Sequence, residues 1–407
     1  MRVRVLVNFR LFVLVMAAAY GVVSRQSSLA KKPHKPDVLF ISVDDMKDWV
    51  GCLGGHPDAK TPNIDRLAQR GTLFTNAHCA ATTCNPSRAA TMTGLLPSTT
   101  GIYGNAQWFR PLLPNVVTIP QHFKANGYRV VGGGKIFHTG NTRDGFNPPD
   151  QWHDYFSLVW DNPWHHPLKG LNWPPGFPLN GIENVRKGIP PPTGPSQFDW
   201  GPFDKEDLEM GDGRMVEWII KQWQKPFKGP LFLGAGIYRP HLPWYAPRKY
   251  FDLYPIDKIR LPKRKSDDLD DVPRYGRNLA RANNGDEYDL VVATGKYRQA
   301  VQAYLASISY VDSLVGRLLE AIDESPRGEK TVIVFWSDHG WHLGEKGHWH
   351  KTTLWEEATR VPLIISAPGI GRPGSRCNRP ASLIDLYPTL IDLCDLPTIE
   401  NLEGVNL

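Results

Sequence analysis

Three short runs, Asp37 to Val43, Pro230 to Ile237 and Thr331 to Trp336, are apolar almost from end to end and run directly into polar, ionisable residues. Runs of this length, rich in β-branched and aromatic side chains and bounded by Pro, Gly or Asp, read as buried strands. Tyr128 to Val131, which leads into Gly132-Gly133-Gly134, and Val361 to Ile365 read the same way. Between them lie helical patterns. Pro62 to Arg70 has Thr61 as its N-cap, Pro62 at the first position and Gly71 after its end. Tyr297 to Ile322 repeats Tyr304, Ile308, Val311, Val315 and Leu318 on one face. Leu383 to Leu393 is a further helix. This alternation predicts an α/β fold built on a large, mostly parallel or mixed sheet flanked by helices.

The rest of the chain fills in around that frame. Its 407 residues can bury a large core. The Pro-rich stretch from Asn147 through Pro195 lacks periodicity and is expected to be a long surface excursion. Trp residues crowd the region from Trp152 to Trp244, where they either stack on sugar rings or pad the core. Lys263 to Asp271 is expected to be a solvated loop. At the N-terminus, Arg2, Arg4 and Arg10 precede the apolar run Leu11 to Val23, and Ser28-Leu29-Ala30 offers a small-residue cleavage site. That is the layout of a secretory signal peptide over residues 1–30, with 31–407 as the mature catalytic domain. The expectation is export with no stable membrane span: periplasmic or extracellular in a bacterium, lysosomal or secreted in a eukaryote. No Asn-x-Ser/Thr acceptor occurs, because Pro86 follows Asn85, which favours a bacterial source. The net charge of +6 comes without a Lys/Arg block, so a nucleic-acid partner is not expected. Five cysteines are present in a chain read as exported; Cys377 and Cys394 are one possible pair.

Chemistry-bearing residues gather just after the predicted strands, where open α/β sheets bind ligands. Asp44, Asp45 and Asp338 are three carboxylates, with His339 beside the last. Placed together they would repel unless a cation neutralised them, and their oxygens suit Ca²⁺, Mg²⁺ or Mn²⁺ better than Zn²⁺. Lys135, His138, His241 and Lys351 form a basic set able to surround a tetrahedral anion. His342, His348 and His350 crowd one segment without a convincing zinc spacing and stay unassigned. Cys84 stands at a predicted helix start, four residues before Arg88. Read alone, it is either a thiolate nucleophile or a structural thiol.

Cys84-x-Pro86-x-Arg88, extended by Ala90-Thr91-Met92-Thr93-Gly94, resembles the signature of the type I sulfatases of the alkaline-phosphatase superfamily. Four other segments resemble the family's motifs in order: Val43-Asp44-Asp45, Gly134-Lys135-Ile136-Phe137-His138, Arg239-Pro240-His241-Leu242-Pro243 and Ser337-Asp338-His339-Gly340. Lys351 follows at a fitting distance. The likeness runs from about Asp37 to the end of the chain. Within the family, Lys135-Ile136-Phe137-His138 and the run Ser337 to Glu345 resemble the iduronate-2-sulfatase-like members.

The resemblance implies an alkaline-phosphatase-like core and hydrolysis of sulfate esters on a sulfated sugar or glycan, such as a 2-O-sulfated uronate. It implies that Cys84 is oxidised to formylglycine by a maturation enzyme and that the hydrated aldehyde is the nucleophile. Asp44, Asp45, Asp338 and His339, with the modified Cys84, would bind one Ca²⁺, ahead of Mg²⁺ or Mn²⁺. Arg88 and Lys135 would stabilise the modified residue, and His138 would act as base. Lys135, His241 and Lys351 would hold sulfate, with His241 or Lys351 protonating the leaving group. Trp341, beside the metal motif, joins the substrate-binding set. The family's small C-terminal subdomain is expected to be largely absent. Two other readings are a formylglycine-dependent phosphodiesterase or phosphonate monoester hydrolase, and an inactive glycan-binding homologue.

Overall fold

A computed structural model describes residues 35–139, 146–157, 179–182, 198–282 and 285–407; the expected signal peptide lies outside them. The apolar runs form the centre of an eight-stranded sheet. Its strands are β1 (Asp37–Val43), β2 (Thr72–Phe74), β3 (Arg129–Gly134), β4 (Asp154–Phe156), β5 (Leu231–Ile237), β6 (Thr331–Ser337), β7 (Leu363–Ser366) and β8 (Ser375–Cys377), in spatial order β8-β2-β7-β6-β1-β5-β3-β4. From β6 to β4 the neighbours are parallel, while β7 runs antiparallel to both β6 and β2. The sheet is therefore mixed, as the sequence predicts.

Among the helices that cover the two faces are α1 (Pro62–Arg70), α2 (Cys84–Thr93), α3 (Ile119–Ala125), α4 (Gly211–Gln224), α5 (Tyr297–Asp323) and α6 (Leu386–Leu393). Side chains alternate across a strand, so β1 feeds both layers. Leu39, Ile41 and Val43 pack with Ile64, Leu67, Met215, Val311 and Val315 on one side. Val38 and Phe40 pack with Met92, Phe123, Leu386 and Leu390 on the other. The parallel strands β1, β3, β5 and β6 release the chain at one common edge, and every predicted chemical motif lies there.

Two expectations are corrected. Where it is described, the Pro-rich stretch is not all surface: Asp154–Phe156 adds a strand to β3, and the Trp152 ring packs where Gly132 leaves room, since a Cβ there would sit 2.6 Å from it; residues 158–178 and 183–195 of the stretch lie outside the described residues. Cys377 and Cys394 do not pair, since all five cysteines are free. Trp152, Trp200, Trp223 and Trp244 are buried, so these four pad the core. Among the described residues no helix is long and apolar enough to cross a membrane.

The start of α1 departs from its sequence reading in an informative way. Thr61 precedes the helix but makes no capping bond; its hydroxyl accepts from Gly51 N at 2.8 Å. Asp312, in the middle of α5, caps the helix instead, accepting from Asn63 N at 3.0 Å, Ile64 N at 2.8 Å and Asn63 Nδ2 at 2.9 Å. Burial, offset in part by those amide bonds, pushes its carboxyl up to about 6 from the ordinary 3.8. Asp312→Ala leaves the helix N–H groups without this acceptor and is expected to cost about 1–3 kcal/mol in urea unfolding, with Asp312→Asn costing less. The folded carboxyl holds its proton at higher pH than the unfolded one. Its contribution to stability therefore increases as pH falls from about 6 towards 3.8 and is lost as pH rises through 6. Titrating unfolding free energy against pH in wild type and Asp312→Asn checks this, because only the wild type carries that slope.

Candidate active site

Helix α2 begins at Cys84, and all ten of its residues are buried. A buried helix with polar side chains must satisfy them internally. Thr91 and Thr93 do so by donating to Ser87 O and Ala89 O. Cys84 and Arg88, four residues apart, share one face, which meets the sheet's polar edge.

Arg88 organises that edge. Its Nε donates to Asp338 Oδ2 at 2.9 Å, its Nη1 donates to the carbonyls of Lys135 and Ile136, and its Nη2 lies 3.6 Å from Asp44 Oδ1. One guanidinium thus touches the ends of β1, β3 and β6. Ser87 adds a bond from its Oγ to Asp338 O at 2.5 Å. Gly236 lets β3 run on past β5 here: a Cβ at that position would stand 2.3 Å from the Lys135 backbone.

Around Cys84 the predicted acidic and basic sets converge. Asp44, Asp45, Cys84 and His339 each present one ligand atom, and all four atoms lie within 4.8 Å of one another. His339 Nε2 is 3.4 Å from the Cys84 sulfur and 3.4 Å from Asp45 Oδ1. Its Nδ1 faces Gly340 O at 3.0 Å, which fixes the ring with Nε2 pointing into the cluster. Asp338 sits at the margin. Its Oδ1 accepts from Asp45 N and His339 N, and its Oδ2 is 3.5 Å from His339 Nε2. Asp45 adopts φ 61°, a left-handed conformation that Asp tolerates better than most residues. The Asp338 carboxylate on its amide and the Tyr304 hydroxyl on its carbonyl, at 2.7 Å, hold it there.

The basic residues close over the same point. Lys351 Nζ is 3.1 Å from the Cys84 sulfur and 2.5 Å from Asp45 Oδ1. Lys135 Nζ pairs with Asp44 Oδ2. His241 Nε2 is 3.9 Å from Asp45 Oδ2, and its Nδ1 is 2.6 Å from Leu242 O. His138 hydrogen-bonds the Cys84 side chain, while its own Nδ1 is buried without a partner. Trp341 is only 1% exposed; the Lys351 ammonium covers its ring at 5.3 Å, so it presents no free face.

The electrostatics follow from this crowding. Burial raises the Cys84 thiol, but Lys135, Lys351 and His339 outweigh it and bring it well below its ordinary range. Burial and Cys84 push Asp44 up, yet Lys135, His241 and Arg88 hold it below the usual carboxylate range. Burial dominates at Asp338 and raises it to about 7 against the pull of Arg88. His339 moves to about 9: burial lowers it, and Asp338 more than restores it. Burial lowers His138, which favours the neutral ring.

The residues fit a hard cation. Two carboxylates lie fully buried side by side, and Asp45 Oδ2 is a buried oxygen with no hydrogen-bond partner. An unsatisfied carboxylate oxygen in a dry site is costly, and a divalent cation would satisfy it. A thiolate suits such an ion poorly, so Cys84 is the odd member of the ligand set.

Supporting residues that the sequence did not reveal include Tyr304, Ser337 and Ser87. Tyr304 reads as one more apolar position on its helix face, although its hydroxyl also accepts from Lys47 N at 3.0 Å. His348 lies between Ala280 O and Lys351 O, and His350 pairs with Glu287, so these rings brace the Lys351 turn.

A family model described as "Sulfatase" matches residues 36–396. A sulfatase of Formosa agariphila is 38% identical over 399 residues, covering 94% of this chain and 74% of that protein. Iduronate 2-sulfatase of Homo sapiens is 31% identical over 400 residues, covering 88% and 69%. Among solved structures, a phosphonate monoester hydrolase from Silicibacter pomeroyi has a TM-score of 0.74 at 23% identity, covering 92% of this chain and 76% of that one. A 2-O GAG sulfatase has a TM-score of 0.64 at 22% identity, covering 92% and 73%. At these identities the solved structures speak to the fold alone.

Replacing Arg88 by Ala takes the guanidinium from buried Asp338 and leaves Asp44 with Lys135 as its remaining ion pair. The expected cost is about 3–5 kcal/mol in denaturant unfolding, with Arg88→Lys recovering only part, since an ammonium lacks the fork that reaches three strand ends.

Proposed function

The chain belongs to the sulfatase family and hydrolyses sulfate esters, and from that premise we propose that its substrate is a 2-O-sulfated uronate within a glycan and that its nucleophile is formylglycine made from Cys84. The observation that carries the reading is the convergence of Lys135, Lys351, His138, His339 and two buried carboxylates on the single Cys84 side chain. A catalytic thiol has no use for hard oxygen ligands at its side, whereas an oxygen nucleophile does.

Formylglycine, when hydrated, supplies a hydroxyl that attacks sulfur and a second that lets the ester collapse to free sulfate. A Ca²⁺ held by Asp44, Asp45, Asp338 and His339 would supply positive charge beside it. The chain's own groups do the rest. Lys135 and Lys351 are kept as cations by their carboxylate partners, burial notwithstanding. They neutralise the sulfate oxygens and the charge that develops on them. His241, anchored through Nδ1 on Leu242 O, directs Nε2 to the same space and protonates the departing alcohol. His138, kept neutral by burial and bonded to residue 84, takes the proton from the second hydroxyl. Arg88 fixes Asp44, Asp338 and the Lys135 backbone relative to one another.

The iduronate-2-sulfatase-like reading rests on the 31% identity to the human iduronate 2-sulfatase. Export, with a leader over residues 1–30 and a formylglycine-generating partner, completes the proposal.

Protein made together with a maturation enzyme is expected to show an aldehyde at position 84 by peptide mass spectrometry and to release sulfate from 2-O-sulfated uronates. Cys84→Ala is expected to lose at least about 10³-fold in sulfate release. Full activity with an unmodified thiol, or a preference for phosphonate monoesters over sulfate esters, overturns the reading. Ca²⁺ at about a hundred times its Kd is expected to stabilise the fold by about 2.7 kcal/mol in a thermal shift, an effect lost in Asp45→Asn.

A further inference from the structure

The segment after α2 carries a large exposed aromatic on an unusually well-tied loop. Trp108 is 53% exposed. Its neighbours are fixed from both sides. Asn85, the residue after Cys84, donates through Nδ2 to Gly104 O at 2.9 Å and Gln107 O at 2.7 Å, and its backbone N–H donates to Asn105 Oδ1 at 3.0 Å. Gln107 closes the loop on itself, with Oε1 accepting from Tyr103 N and Gly104 N and Nε2 donating to Gly101 O. On the other side, Phe109 is buried and stacks on Phe137 with ring centroids 5.5 Å apart. The indole is thus held out at the surface by a rigid frame, with about half of its surface open to water.

The direction it faces is informative. The Trp108 ring meets Phe146 edge to face at 6.3 Å, and Phe146 meets His138 at 5.0 Å. His138 in turn bonds Cys84. A line of rings therefore leads from the nucleophile to the surface. It starts on the residue that contacts the reacting centre and ends on a partly solvated indole.

We propose that Trp108, backed by Phe146, is a sugar-stacking subsite that receives the pyranose ring next to the sulfated one. The C–H face of a pyranose is apolar and flat enough to cover an indole, while its rim hydroxyls stay in water, which matches a Trp that is half exposed. The rigid loop means that little ordering entropy is lost on binding. The inference rests on the glycan reading above and adds the position of the neighbouring sugar.

The test compares a 2-O-sulfated glycosaminoglycan tetrasaccharide with the matching disaccharide, using the matured enzyme. For Trp108→Ala, the KM for the tetrasaccharide is expected to rise roughly tenfold, about 1.4 kcal/mol, with kcat within about twofold and a much smaller change on the disaccharide. Trp108→Phe is expected to recover most of the loss, because it keeps an aromatic face. An unchanged tetrasaccharide KM in Trp108→Ala overturns the subsite, and so does an equal loss of kcat on both substrates, which marks a structural role. Wild-type enzyme that cleaves neither substrate but releases sulfate from other esters overturns the glycan reading itself, and the subsite with it.

Discussion

Everything at the catalytic edge hangs on one buried guanidinium. Three parallel strands, far apart in sequence, end at the same edge of the sheet, and two of them, β1 and β6, deliver carboxylates that repel each other. Arg88 reaches all three because its donors form a planar fork, and it is itself fully buried. Its placement on the same helical face as Cys84 couples the position of that side chain to the positions of the carboxylates. The short helix α2 acts as a rigid ruler between them.

The charges around Cys84 nearly balance in number, but they are not distributed evenly. Asp44 is pressed by Lys135 and Arg88, and Asp45 by Lys351, leaving one Asp45 oxygen without a hydrogen-bond partner. Asp338 has Arg88 for a partner and still drifts upward because it is dry and lies near Asp44. A site with this imbalance favours both a further cation and an incoming dianion-like group, each relieving what the other would worsen alone. That mutual dependence explains why the anionic and cationic sets interleave instead of facing each other across a cleft.

Much of this was legible in the sequence, for identifiable reasons. β1 and β6 are unbroken apolar runs, and a residue directly after a buried parallel strand has few places to go, so Asp44, Asp45, Asp338 and His339 could be grouped before any geometry was known. The Cys84 motif carried its own spacing, four residues being one helical turn. What stayed hidden was long-range satisfaction. Nothing local marks Asp312 as the cap of α1, because its partners lie some 250 positions away. Tyr304 passes for a core residue because its ring is one; only its hydroxyl is functional. Asp154–Phe156 escaped notice because a three-residue strand has no periodicity, and its place depends on bare glycine backbone in β3 accepting Trp152. Trp341 stands next to the metal motif in sequence yet turns its ring under Lys351, a choice of rotamer and packing that adjacency does not encode.

The burial of α2 has a consequence for the life history of the protein. Cys84 is 1% exposed and the helix that bears it is covered on every side. Under the maturation proposed above, a separate enzyme that oxidises this sulfur would reach it only while the chain is still open. Covalent maturation and folding would then compete in time, and a molecule that closed first would keep its thiol.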